Sequence, residues 1–119
     1  MSRLVQIRSY QLKPGARAAF HRAFVEQAVP MLQRWRHDVV AFGPSPHSPE
    51  AYVLVRAYDD LADLNACQDA FYASPEWCEG PREHVLAMIE TYLDAVLWLS
   101  PAAIDDLRRA NAGAVAGPA

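Results

Sequence analysis

Arg8 and Asp94 are the residues most able to act together. Each lies in a segment that alternates polar and apolar side chains, Leu4 to Leu12 and Thr91 to Leu99. On neighbouring antiparallel strands they share a face and can form a cross-strand ion pair, and Arg56, from a third alternating segment, can join it. Two chemistries fit the trio. One is an anion or carbonyl site, an arginine fork with the Tyr10 and Tyr92 hydroxyls around it; the other is an interfacial salt bridge that fixes the register between two copies of the chain.

The four histidines are dispersed, with no two at metal-ligand spacing, so no metal is expected. His21, on the first helical segment, and His37, at its end, read as solvated surface residues. An imidazole titrates near neutral pH, which makes His47, in a Pro-rich loop, and His84, on a later helix, the candidates for a catalytic base at a pocket rim. Trp35, Phe42, Phe71 and Trp77 can line an apolar ligand pocket or simply pack a core. Cys67 sits near a buried helical stripe and Cys78 lacks a basic neighbour to lower its pKa, so neither reads as a nucleophile. Ser74 before Pro75 and Glu76 is explained as a helix start, with Ser as cap and Pro at the first position. Five glycines form no phosphate-cradling loop, and no cofactor is expected.

The elements that must position these residues follow from periodicity. The first strand, Leu4 to Leu12, ends at Lys13-Pro14-Gly15. Phe20, Phe24, Ala28, Met31 and Trp35 then recur at helical steps, giving a helix from about Ala16 to Arg36. Pro30 lacks the N–H that would bond back one turn, so this helix should kink or break near Ala28 or Val29. Val39 to Phe42 and Tyr52 to Tyr58 read as a strand pair joined by a loop with prolines at 44, 46 and 49. Asp59-Asp60 caps a helix ending near Ala73, a helical turn follows around Trp77, and Pro81 to Ile89 forms another helix. Thr91 to Leu99 is the fourth strand.

Strand, helix, strand, strand, helix, strand is the ferredoxin-like βαββαβ order of an α+β domain, a four-stranded antiparallel sheet with its helices on one face. Residues 1–100 form that domain, and 101–119 read as a partly disordered extension of small residues. With 119 residues, 52% of them hydrophobic, one domain can bury a core without staples. A net charge of −3, and no basic run longer than Arg108-Arg109, argues against a nucleic-acid partner. There is no apolar signal core and no membrane-length apolar run, so no membrane is expected, and two unpaired cysteines suit a cytoplasmic location.

The strand faces divide unequally. Val5, Ile7, Val53, Val55, Ala57, Leu93, Ala95 and Leu97 form an almost wholly apolar face, expected to hold the helices. Arg8, Tyr10, Tyr52, Arg56, Tyr92, Asp94 and Trp98 crowd the other, with too much aromatic surface to leave in water. The simplest cover for it is a second copy about a two-fold axis, so a homodimer with this seam is expected.

Three segments, Gln6-Ile-Arg-Ser-Tyr-Gln-Leu-Lys-Pro-Gly15, Ala57-Tyr-Asp-Asp-Leu61 and Ala73-Ser-Pro-Glu-Trp77, resemble motifs of the NIPSNAP family. The resemblance covers roughly residues 4 to 99. It implies the dimeric α+β barrel superfamily, ferredoxin-like protomers joined sheet to sheet. Family members often carry His and Trp in the third strand where this chain has Leu54 and Arg56, so pocket chemistry through that His is not carried over. The expected function is binding of a small apolar or aromatic metabolite in a pocket between helices and sheet. The alternatives are a cofactor-independent monooxygenase or isomerase of an aromatic or polyketide-like metabolite, and a structural or interaction subunit without a ligand.

Overall fold

The computed structural model describes the backbone of residues 1–116 and the side chains through Ala112. The chain runs β1 (Arg3–Leu12), α1 (Arg17–Ala23), a π-helical turn (Phe24–Ala28), α2 (Val29–Arg34), β2 (Asp38–Pro44), β3 (Ala51–Tyr58), α3 (Leu61–Tyr72), α4 (Pro75–Cys78), α5 (Arg82–Ala87), β4 (Ile89–Leu99) and α6 (Pro101–Ala116). The four strands form one antiparallel sheet in the order β2-β3-β1-β4, the α+β ferredoxin-like arrangement.

The break expected near Ala28 takes the form of the π turn. The Val29 N–H bonds to the Phe24 carbonyl five residues back, and Pro30 then sits in the first turn of α2, where proline is tolerated. Asp60 caps α3 by accepting from the Asp63 N–H, and Ser74 caps α4 by accepting from the Trp77 N–H.

Pairing confirms which residues share a face. Val5 lies opposite Ala57 and Leu97, and Arg8 opposite Leu54 and Asp94. The covers, however, are reversed from the sequence expectation. The helices pack on the face of Tyr10, Leu12, Tyr52 and Leu54, using Phe20, Phe24, Leu32, Phe71 and Trp77. The helices can cover this mixed face because they bring both aromatic surface and polar partners. Tyr10 alone meets Phe20 and Phe24 edge-on at 5.2 and 5.8 Å.

The apolar face is the outer one. At its β2 end α6 covers it, burying Ile104 against Val5, Val40, Ala41, Val55 and Ala57. This corrects the expectation that the chain frays after Pro101: α6 is helical through Ala116. Ser100 accepts from the Ala103 N–H at 3.1 Å, and Arg108 donates to the Val39 carbonyl at 3.2 Å and to Asp38 at 3.1 Å. The remainder of the expected tail, residues 117–119, lies outside the described residues. Towards β4 the outer face is open, with Leu93 77% and Leu97 40% exposed. No helix among the described residues is long and apolar enough to cross a membrane.

Candidate functional site

Between the helices and the sheet lies a cavity of about 730 Å³, within the range of small-molecule sites. Tyr10 and Arg8 of β1, Leu54 of β3 and Ile89 and Tyr92 of β4 line its sheet side. Phe24, Ala28 and Leu32 line it from the first helical stretch, and Phe71, Tyr72, Trp77 and Val85 from α3, α4 and α5. Of the four expected pocket residues, Phe71 and Trp77 are there. Trp35 and Phe42 are not among the cavity residues: the Trp35 indole donates to Glu76 Oε1 at 2.7 Å, and Phe42 packs beside Phe24 and His21. The carboxyl of Glu76 is in turn held below its usual pKa by Arg34 and Trp35.

The polar groups of the cavity gather at one end. Arg8 grips Asp94 in a fork, Nε to Oδ1 at 2.7 Å and Nη2 to Oδ2 at 3.0 Å, while the Tyr92 ring lies under the guanidinium at 4.4 Å. Burial alone would weaken the charge of Arg8; the bond to Asp94 and the surrounding Coulombic field outweigh it and raise the pKa. Nη1 of Arg8 donates to the Tyr72 hydroxyl at 3.4 Å, and Nη1 of Arg56 donates to the same oxygen at 2.9 Å. The Tyr10 hydroxyl is pushed up by burial, with Arg8 and Arg56 pulling weakly the other way.

Arg56 is fully buried, at 0% exposure. Its Nη2 donates to Gln6 Oε1 at 3.0 Å, and its Nε has no partner. Gln68 also donates to Gln6 Oε1 and, at 3.3 Å, to the Tyr58 hydroxyl, which shares a 2.7 Å bond with His37 Nδ1. A continuous polar string therefore runs from His37 across the sheet to Asp94.

Several expected roles change. Tyr10, Tyr52 and Arg56 cannot form a dimer seam, because the helices of the same chain bury them. Arg8 and Tyr92 line the cavity and Asp94 pairs with Arg8, so the expected cross-strand pair forms within one chain, at the exposed β4 side of the cavity. Trp98 remains exposed on the β4 edge. His21 and His37 are buried rather than solvated. His21 Nδ1 meets the Tyr52 hydroxyl at 2.6 Å, and burial lowers the pKa of both imidazoles, that of His37 to about 4 with Arg56 adding to the effect. His47 bonds to Ser45 Oγ at 3.0 Å in its loop, and His84 lines a separate depression beside Glu26 and Arg34. Neither lines the cavity, so neither is placed to act there as a base.

Tyr72 and Gln68 are the site residues that the sequence reading missed. They stand four apart on α3, on the same stripe as Leu64 and Phe71, and that spacing was the available signal.

The NIPSNAP family pattern matches residues 5–101, through all four strands. The chain belongs to the NIPSNAP family. Solved NIPSNAP proteins have the same fold. An uncharacterised one from Burkholderia xenovorans is 17% identical with a TM-score of 0.74, over 82% of this chain and 95% of that one. A family protein of unknown function from Agrobacterium tumefaciens is 20% identical with a TM-score of 0.75, over 82% and 88%. This NIPSNAP chain is also similar to a candidate antibiotic biosynthesis monooxygenase from Bordetella bronchiseptica, at 26% identity and a TM-score of 0.61 over 84% and 97%. No curated protein matches the chain. Within this NIPSNAP chain, α6 lies almost wholly beyond the matched residues.

Proposed function

We propose that this NIPSNAP protein is a homodimer that binds a small apolar or aromatic molecule in the cavity of each protomer. The observation that carries the reading is the cavity itself: about 730 Å³, walled by Phe24, Leu32, Leu54, Phe71 and Trp77, with the linked polar groups of Arg8, Tyr72 and Tyr92 on its wall. Such a division suits a ligand with an apolar body and a polar head. A structural subunit without a ligand would fill this space with its own side chains, so the open volume weighs against that alternative.

The homodimer is supported by the outer face. Leu93, Ala95 and Leu97 form an exposed apolar surface that α6 leaves open, continuous with the half-buried Ile7 and Val53. A second sheet packed on it about a two-fold axis would remove that surface from water. The seam thus moves to the face opposite the one read from the sequence.

The second reading, a cofactor-independent oxygenase or isomerase, is favoured by the likeness to the candidate monooxygenase from Bordetella bronchiseptica. Chemistry there would need a base, and Asp69 is the carboxylate among the cavity residues. Oxygen uptake with enolisable aromatic compounds, lost in Asp69→Asn, would support it.

Binding is tested with the fluorescent alcohol 1-pyrenebutanol and with Ala73→Trp, which adds bulk at an exposed cavity residue. The expected result is saturable binding, one probe per chain, weakened at least tenfold in the variant. Undiminished binding in a folded Ala73→Trp protein would place the ligand elsewhere and defeat the cavity reading.

A further inference from the structure

The polar end of the cavity holds more positive charge than negative. Arg8 and Arg56 both reach the Tyr72 hydroxyl, and Asp94 is the one carboxylate in contact with either guanidinium among the described residues. Arg56 is wholly buried, yet its partners are the neutral oxygens of Gln6 and Tyr72, and its Nε is unmet. A guanidinium taken out of water and left with neutral partners is costly unless a countercharge arrives. The other charged residues of the lining, Asp69 and Arg82, are exposed and of opposite sign.

The free donors point to the kind of countercharge. Nε and Nη2 of Arg8 are taken by Asp94, but Nη1 carries two hydrogens and makes one long bond, 3.4 Å, to Tyr72. The Tyr72 oxygen accepts from both arginines, which engages its lone pairs and leaves its own hydrogen to be donated. No described side chain accepts that hydrogen. Two unused donors therefore stand side by side on the cavity wall, backed by two cations, beside an apolar chamber.

We infer that this end takes the ionised acid group of the ligand, so that the ligand class is an apolar or aromatic carboxylic acid. Its carboxylate accepts from Arg8 Nη1 and the Tyr72 hydroxyl, Arg56 stabilises it from behind, and the hydrocarbon lies against Phe71, Trp77 and Leu54. The inference rests on the cavity-binding reading and narrows it. Charge-assisted bonds from Arg8, whose side chain is 12% exposed, would make the acid bind more tightly than an alcohol of the same shape, and would exclude an amine.

The test compares 1-pyrenebutyrate, 1-pyrenebutanol and 1-pyrenebutylamine on the unaltered protein at pH 7.5, by fluorescence titration. The expected order is acid, alcohol, amine, with the acid at least tenfold tighter than the alcohol. Tyr72→Phe should cut that ratio severalfold. Ala73→Trp should weaken the acid as it weakens the alcohol. Equal affinities for acid and alcohol would overturn acid recognition while leaving cavity binding intact, and failure of all three probes to bind would overturn both. The three-probe ranking needs no variant, so it decides the matter even if Tyr72→Phe does not fold.

Discussion

On the helix-covered face of the sheet, Tyr52, Tyr58 and Arg56 are buried completely or nearly so, each with a polar partner: His21, His37 with Gln68, and Gln6 with Tyr72. On the outer face the side chains are simpler and more apolar, yet Leu93 and Leu97 stand in water and Val5 and Val55 are covered where α6 reaches. Over β1 and β3 the more polar face is the better buried, while β4 is exposed on both faces, with Tyr92 46% and Trp98 57% exposed on the helix side. What decides burial inside one chain is whether the covering elements can meet each polar atom as well as each methyl group. The first helical stretch, the turn before β2, β1 and α3 supply those partners. The outer face asks for no polar partners, so a second copy of the chain can cover it.

A pair of truncations separates the two faces. Phe20→Ala removes a fully buried ring from the helix-covered face and should cost about 3–5 kcal/mol, whereas Leu93→Ala on the outer face should cost the isolated protomer less than about 0.5 kcal/mol. Urea titrations under monomeric conditions read both values, and similar costs would mean that the faces are not differently buried. Ile104→Ala tests the part of the outer face that is covered from within the chain. A loss of about 2–4 kcal/mol is expected if α6 is an integral cover, and no loss if it is an appendage.

A smaller effect comes from acid. The His37 imidazole is held to about 4, below its unfolded value near 6.5, so between these pH values the unfolded chain binds a proton that the native state refuses. Stability is therefore unaffected by this group above about pH 7 and falls as pH drops through 6.5 towards 4. At pH 5 the loss should be about 2 kcal/mol relative to pH 7, and His37→Gln, which can still bond to Tyr58, should flatten it. An equally steep profile in that variant would assign the acid sensitivity to other groups.

Much of this was legible in residue order, and the exceptions have physical causes. Alternation sorted the strand residues into the two sets that the register places on opposite faces, because a side-chain period of two leaves no other sorting. Hydropathy could not say which set the helices cover, since an apolar face awaiting a second copy looks like one awaiting a helix. Pro30 announced its break, and Ser74-Pro75 its helix start. Ser100-Pro101 carries the same start signal, with Ile104 and Leu107 three apart, but the small residues that follow it obscured the helix. Phe71, Trp77 and the Arg8–Asp94 pair were found. Tyr72 was not, because the role of its hydroxyl depends on two arginines brought to it from different strands.

The two faces are proposed to do separate work, one holding a small molecule and the other a twin. Native mass spectrometry of the unaltered protein and of Leu97→Asp, each with 1-pyrenebutyrate, tests it most directly. Two chains carrying ligand are expected for the unaltered protein, and a single chain still carrying ligand for the variant. A variant that remains dimeric, or one that loses the ligand together with its partner, would contradict it.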